Sequence, residues 1–250
     1  MDFVRSGVAE GSQGQAEAAI EAIVLAGGMG TRLRPVVADI PKPMAPVCGR
    51  PFLTYVLGQL QSHGVQRAVL ATGYRHEVVA DYFGSSYAGM ALSYAVETEP
   101  LGTGGGIRKG LELCSGQNVV VLNGDTFFAV DLAAMLAFHL RSRADITVAL
   151  KGLEDFDRYG AVLLEGERIV AFHEKKKCAK GFINGGVYIV RKGLFAGIEL
   201  PERFSFEVDF LGKFLHSLNV IGFKSAGYFI DIGVPADYER AGRECARLLP

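Results

Sequence analysis

The 250-residue chain lacks the long apolar stretch that a membrane helix needs, since no run approaches ~18 residues. Its first residues, with Asp2 and Arg5 among small polar neighbours, lack the apolar core of a secretory signal. It also lacks surplus charge: 26 Lys and Arg stand against 27 Asp and Glu, a net of -1. That balance argues against a nucleic-acid binder working by bulk phosphate neutralisation. No C-x-x-C pair occurs among Cys48, Cys114, Cys178 and Cys245, and the five histidines show no H-x-x-x-H or H-E-x-x-H spacing. A thiol-built zinc site is not expected, and the cysteines are expected to be reduced, buried thiols of a cytoplasmic protein. What the chain has in excess is glycine, 32 of 250 residues, about 13% against a usual ~7%, with no fixed period.

Residues 1–19 are rich in Gly, Ser, Ala and Gln and read as a mobile extension. From Glu21 on, short apolar runs alternate with helical stripes. Ile23–Ala26, Ala68–Ala71, Val119–Leu122 and Ile146–Leu150 are the runs of strands covered on both faces, and Leu92–Glu97 alternates as an edge strand would. Leu53, Val56, Leu57 and Leu60 form one helical stripe. Leu132, Met135, Leu136 and Leu140 form a second, with Asp131 as N-cap, and Leu211, Phe214, Leu215 and Leu218 a third. The tail from Pro235 to Leu249 reads as a helix entered through proline. Such alternation predicts an α/β fold, Rossmann-like, with a mixed, mostly parallel sheet and helices on both faces. Beyond about Lys151 the chain is strand-rich (161–164, 169–172, 186–190, 220–223 and 228–232), and these strands are expected to continue the same sheet. Ligands of such folds sit beyond the carboxyl ends of the strands.

The first strand runs into Leu25-Ala26-Gly27-Gly28-Met29-Gly30-Thr31-Arg32-Leu33. A glycine turn there lets backbone N–H groups approach an anion. Leu33 stands where a dinucleotide fingerprint needs Gly or Ala, and no Gly-Lys-Ser/Thr follows, so neither the NAD loop nor the P-loop fits. Arg32 and Lys42 are two cations beside the loop and suit a triphosphate. Asn123-Gly124-Asp125 and Phe229-Ile230-Asp231 each place a carboxylate at a strand end, and the pair suits Mg²⁺, which takes few protein carboxylates.

These motifs resemble the sugar-1-phosphate nucleotidyltransferases from Ala22 to about Glu239. The signatures are Gly27–Leu33, Lys42–Val47, Pro100–Gly105, Asn123–Asp125, Phe172–Lys175, Asn184–Tyr188 and Asp231–Pro235. Within the family, Pro41–Val47, Phe156-Asp157-Arg158-Tyr159-Gly160, Phe204–Glu207 and Ile183–Gly186 resemble the D-glycero-α-D-manno-heptose 1-phosphate guanylyltransferases. Lys176 stands where many members have proline and Gly185 where many have alanine, which bears on the sugar rather than the reaction. The resemblance implies one nucleotidyltransferase domain over 20–250, without a C-terminal β-helix. Residues 20–150 would bind nucleotide, 151–235 sugar, and 236–250 would form a C-terminal helix.

The implied reaction is attack of a sugar 1-phosphate oxygen on the α-phosphorus of GTP, with pyrophosphate leaving. The resemblance assigns catalysis to Arg32, Lys42 and Asp125, and Mg²⁺ to Asp125 and Asp231. Nucleotide binding falls to Leu25, Ala26, Gly27, Gly28, Gly30, Thr31, Arg32, Glu97, Pro100, Gly102, Thr103, Asn123 and Gly124. Sugar-phosphate binding falls to Tyr159, Gly160, Glu174, Lys175, Asn184, Gly186 and Glu207. Glu97 favours guanine, whose ring N–H and amino group are adjacent donors, over uracil or thymine, which would present an acceptor to it. Lys176 and Lys177 read as solvated, and Phe204, Phe206, Phe210 and Phe214 as core. The expected partners are GTP and a sugar 1-phosphate, with no nucleic acid and no membrane; a homo-oligomer stays open. Mannose-1-phosphate guanylyltransferase, a uridylyl- or thymidylyltransferase and a non-catalytic sugar-nucleotide sensor are the competing readings.

Overall fold

The computed structural model describes residues 20–249 apart from 29, 31, 32, 34–36, 38 and 39. The first half runs β1 (Glu21–Leu25), β2 (Pro46–Val47), β3 (Arg50–Pro51), α1 (Phe52–Ser62), β4 (Arg67–Thr72), α2 (His76–Phe83), β5 (Ser86–Tyr87), β6 (Met90–Val96), α3 (Gly102–Glu112), β7 (Asn118–Asn123), β8 (Thr126–Phe128) and α4 (Leu132–Arg141). The second half runs β9 (Ile146–Phe156), β10 (Gly160–Glu165), β11 (Arg168–Lys175), β12 (Cys178–Arg191), α5 (Gly212–Phe214), β13 (Val220–Ser225), β14 (Phe229–Asp231) and α6 (Pro235–Arg243).

Ten strands form one sheet in the order β10-β11-β13-β9-β12-β7-β1-β4-β6-β5. β7, β1, β4 and β6 are parallel; β7, β1 and β4 are mostly apolar because both faces are covered, whereas β6, beside the two-residue edge strand β5, alternates. Ala22 and Val24 of β1 point into one core with Leu53, Val56, Leu57 and Leu60 of α1 and Leu132 and Met135 of α4. Ile23, one residue out of phase, points into the other core with Ile107 and Leu111 of α3 and Phe204, Phe206 and Phe210. The carboxyl ends of the four parallel strands deliver the segments at 26–28, 73–74, 97–100 and 123–125 to one side. The sheet is mixed: β12 runs antiparallel to both β7 and β9, while β13 joins β9 in parallel.

Several local readings hold. The Asp131 carboxylate accepts the N–H of Ala134 at 2.9 Å and caps α4. Phe204, Phe206 and Phe210 are buried, and Phe214 packs against them. The third stripe needs correction. A wide turn with i→i+5 bonding, Phe206–Leu211, precedes only three α-helical residues. Ser205 opens it by accepting the N–H of Val208, and the turn stacks Phe206 on Phe210 at 5.7 Å in the core.

Two larger corrections come from pairing at long range. The strand expected at 228–232 does not continue the large sheet: β14 pairs antiparallel with β8, setting Asp231 opposite Thr126. Nor are all four cysteines reduced thiols. Cys48, in the β2–β3 turn, and Cys245, just after α6, form a disulfide, while Cys114 and Cys178 are free. Packing of α6 on β2, sealed by a bond from Tyr238 Oη to the Pro46 carbonyl, brings the two cysteines together. Among the described residues no helix is long and apolar enough to cross a membrane.

Candidate active site

A cleft of about 560 Å³ opens at the carboxyl ends of the parallel strands. Its walls include Leu25, Gly27, Gly28, Gly30, Lys42, Glu97, Pro100, Gly102, Thr103, Asn123 and Asp125 from the sequence reading. Gly30 has φ +58°, and a Cβ there would meet Lys42 Cβ at 2.7 Å, so the loop can fold onto Lys42 only with glycine at this position. Thr31 and Arg32 lie outside the described residues. Ala26 and Gly124 flank the cleft as packing positions: Ala26 N–H bonds the Ala71 carbonyl, and Gly124 N–H bonds that of Leu25.

At one end of the cleft Lys42 Nζ lies 2.5 Å from Asp125 Oδ2 and 3.5 Å from Asp231 Oδ1. Asp125 follows β7 and Asp231 ends β14, and the β8–β14 pairing brings them together. Asp231 is held above the usual carboxylate range, first by burial and then by the charge of Asp125, against the opposing effects of Lys42 and the Gly233 N–H. Two hard oxygen donors with excess negative charge are what could hold a divalent cation here. Among the described residues no set of three or more His, Cys, Asp or Glu is gathered for a metal. A magnesium site completed by phosphate oxygens and water does not require one.

Glu97 forms the opposite wall. Its Oε2 accepts the N–H of Leu101 at 3.0 Å, and its Oε1 faces Gly27 and Gly106. Burial raises its pKa, partly offset by the Leu101 N–H and by Lys109. Lys109 of α3, which donates to the Val96 carbonyl, had no motif to mark it. Gly73, Tyr74, Thr98 and Glu99 also line the cleft. The strand-end rule that singled out the loops after β1 and β7 would have found Gly73 and Tyr74 after β4. Gly104 serves packing rather than ligand approach: a Cβ there would meet the Phe204 ring at 2.1 Å, so glycine lets α3 lie on that ring.

The sugar-phosphate candidates are less closely gathered. Asn184 Nδ2 donates to Tyr188 Oη, and Tyr188 donates to Glu207 Oε1 at 2.9 Å. Thr103 and Ser205 donate to the other Glu207 oxygen. Glu207 therefore braces the wall with both oxygens and links Asn184 to Thr103 of the cleft. Tyr188 at the centre is fully buried, which drives its pKa well above the phenol value. Gly186 sits against the Asn123 side chain. Tyr159 packs edge-on against Phe229 at 5.8 Å, its hydroxyl pushed up to about 12 by burial and by Asp231. Gly160 lies under the His173 carbonyl, where it lets β10 approach β11, and pairs in register with Lys175. Glu174, Lys175, Lys176 and Lys177 are exposed at the end of β11, outside the walls of the cleft.

A glycine loop after the first parallel strand and an acidic pair bridged by a lysine share one cleft of this α/β fold, an arrangement suited to a phosphorylated ligand. Residues 21–247 match the nucleotidyl transferase family model, and the chain belongs to that family. It is 48% identical over 225 residues to a D-glycero-alpha-D-manno-heptose 1-phosphate guanylyltransferase of Aneurinibacillus thermoaerophilus, covering 90% of this chain and 98% of that protein. A protein of the same description from Campylobacter jejuni is 42% identical over 220 residues, 88% of this chain and 97% of that one. Among solved structures, HddC from Yersinia pseudotuberculosis complexed with GMP-PN superposes with a TM-score of 0.82 at 34% identity, covering 90% of this chain and 99% of that one.

Proposed function

We propose that the chain transfers GMP from GTP to D-glycero-α-D-manno-heptose 1-phosphate, giving GDP-heptose and pyrophosphate. The observation that carries the choice of nucleotide is Glu97, a desolvated carboxylate in the cleft wall. One lone pair of Oε2 is taken by Leu101; Oε1 and the second lone pair of Oε2 can accept the two adjacent donors of guanine. The heptose relatives, matched over nearly their full length, support the choice of sugar.

A phosphate oxygen of the sugar attacks the α-phosphorus as the bond to the bridging oxygen breaks, and its electron pair leaves with pyrophosphate. The protein supplies position and charge rather than a covalent intermediate. Asp125 and Asp231 would hold Mg²⁺, which neutralises charge on the phosphates when bound. Lys42 stands against both aspartates and offers its ammonium to the charge that develops at the reacting phosphate. The glycine loop, with Thr31 and Arg32, would cradle the triphosphate; Pro100, Gly102, Thr103 and Asn123 would shape the nucleoside wall. Tyr159, Gly160, Glu174, Lys175, Asn184, Gly186 and Glu207 would form the sugar-phosphate side, with Glu207 bracing Asn184 through Tyr188.

The test is product identity. With GTP, heptose 1-phosphate and magnesium, chromatography and mass spectrometry should find GDP-heptose in step with pyrophosphate, and chelation should abolish both. Pyrophosphate without a GDP-sugar, or turnover unaffected by chelator, would contradict the assignment.

A further inference from the structure

The turn between β9 and β10, residues 157–159, carries Arg158 beside Tyr159. Arg158 Nη1 donates to Asp237 Oδ2 at 2.5 Å. Asp237 lies in the first turn of α6, six residues beyond Asp231, and is buried. Arg240 of the same helix stands 3.6 Å from its other oxygen. The Arg158 guanidinium also lies 5.6 Å over the Tyr159 ring, and Tyr159 packs on Phe229, two residues before Asp231. The turn therefore grips the Asp231 segment on both sides, at Phe229 before it and at Asp237 after it. The charge of Asp231 also acts on Arg158.

We propose that Arg158 is a positioning residue: its bond to Asp237 clasps the turn bearing Tyr159 and Gly160 to the segment bearing Asp231, and so fixes the sugar-phosphate side of the cleft. The inference rests on the reading that this cleft receives a sugar 1-phosphate. Arg158 is 42% exposed on its side chain, so the pair contributes little to global stability and its value is geometric. The competing account makes Asp237 a carboxylate placed for the α6 dipole, with Arg158 a chance partner. The guanidinium reaches Asp237 and the ring together, a planar double contact that lysine does not reproduce.

The experiment compares Arg158→Met, Asp237→Asn, the double variant and Arg158→Lys. Initial rates give KM for each substrate, and hydrogen exchange is followed over 157–162. The clasp predicts a rise of about tenfold in KM for the sugar 1-phosphate in either single variant, with KM for GTP within about twofold. The double variant should be no worse than the singles, because both remove one interaction. Arg158→Lys should fall between wild type and Arg158→Met, and it carries the test if Arg158→Met does not fold. Amides of 157–162 should exchange faster in the variants. Equal changes in both KM values, additive losses or unchanged exchange would overturn the clasp. If the wild-type protein turns over no nucleotide and sugar pair, the functional reading falls, and exchange at 157–162 alone still decides the clasp.

Discussion

The ammonium of Lys42 stands 2.5 Å from the Asp125 carboxylate, across a sequence separation of 83 residues. Lys42 belongs to a short 3₁₀ turn entered through Pro41, and Asp125 to the loop after β7. In the proposed reaction this fixed cation stands beside the reacting phosphate. Lys42→Met should lower kcat by ~10²–10³, the usual effect of losing one such charge at a transition state. Rapid-quench or steady-state pyrophosphate release measures it. A loss below tenfold would make Lys42 a structural counter-ion of the aspartates.

Glu97 supplies a second prediction. Glu97→Gln replaces an all-acceptor group with one acceptor and one donor. It should cost GTP about 10–100-fold in kcat/KM, consistent with the ~1.5–3 kcal/mol of a hydrogen bond to a charged group, and should admit dTTP or UTP. Unchanged GTP kinetics would remove Glu97 from base recognition.

The disulfide predicts a redox-dependent stability. Cys48 and Cys245 close a span of 197 residues. Cys48→Ser should lose about 2–4 kcal/mol in denaturant titrations under non-reducing conditions. Dithiothreitol should bring the wild-type protein to the same level. Thiol titration of the unfolded, unreduced chain should find the two free cysteines, Cys114 and Cys178, of the four; finding all four would contradict the pairing.

His139 makes stability fall in acid. It is buried between Thr147 Oγ1 and Asn118 Oδ1, and burial lowers its pKa from 6.5 to about 4. A depressed histidine prefers to be neutral in the folded state. Its contribution is therefore full above pH 6.5 and is lost as pH falls from 6.5 towards 4, by roughly 3 kcal/mol over that window. His139→Gln should flatten the dependence in that range. An identical pH profile for the variant would remove His139 from the account.

The sequence reading reached the strands β1, β4 and β7, because strands covered on both faces are written as unbroken apolar runs. It reached Asp131 as a cap and Glu97 at a strand end, because those signals are local. Three relations stayed hidden because they depend on partners far along the chain. β14 reads as one more apolar strand, yet pairs with β8 and so sets Asp231 beside Asp125. Cys48 and Cys245 show no common motif. Lys109 and Asp237 are ordinary helix charges until α3 and α6 dock. Not every glycine of a family signature faces a ligand: Gly104 lies in Pro100–Gly105, yet its missing side chain makes room for Phe204.

The most direct measurement is pyrophosphate release across a matrix of GTP, ATP, CTP, UTP and dTTP against heptose, mannose and glucose 1-phosphates. The account predicts the highest kcat/KM for GTP with heptose 1-phosphate, a weaker rate with mannose 1-phosphate, and little turnover of the pyrimidine triphosphates. Release that is as fast with UTP or dTTP as with GTP, or no release with any guanylyl pair, would contradict it.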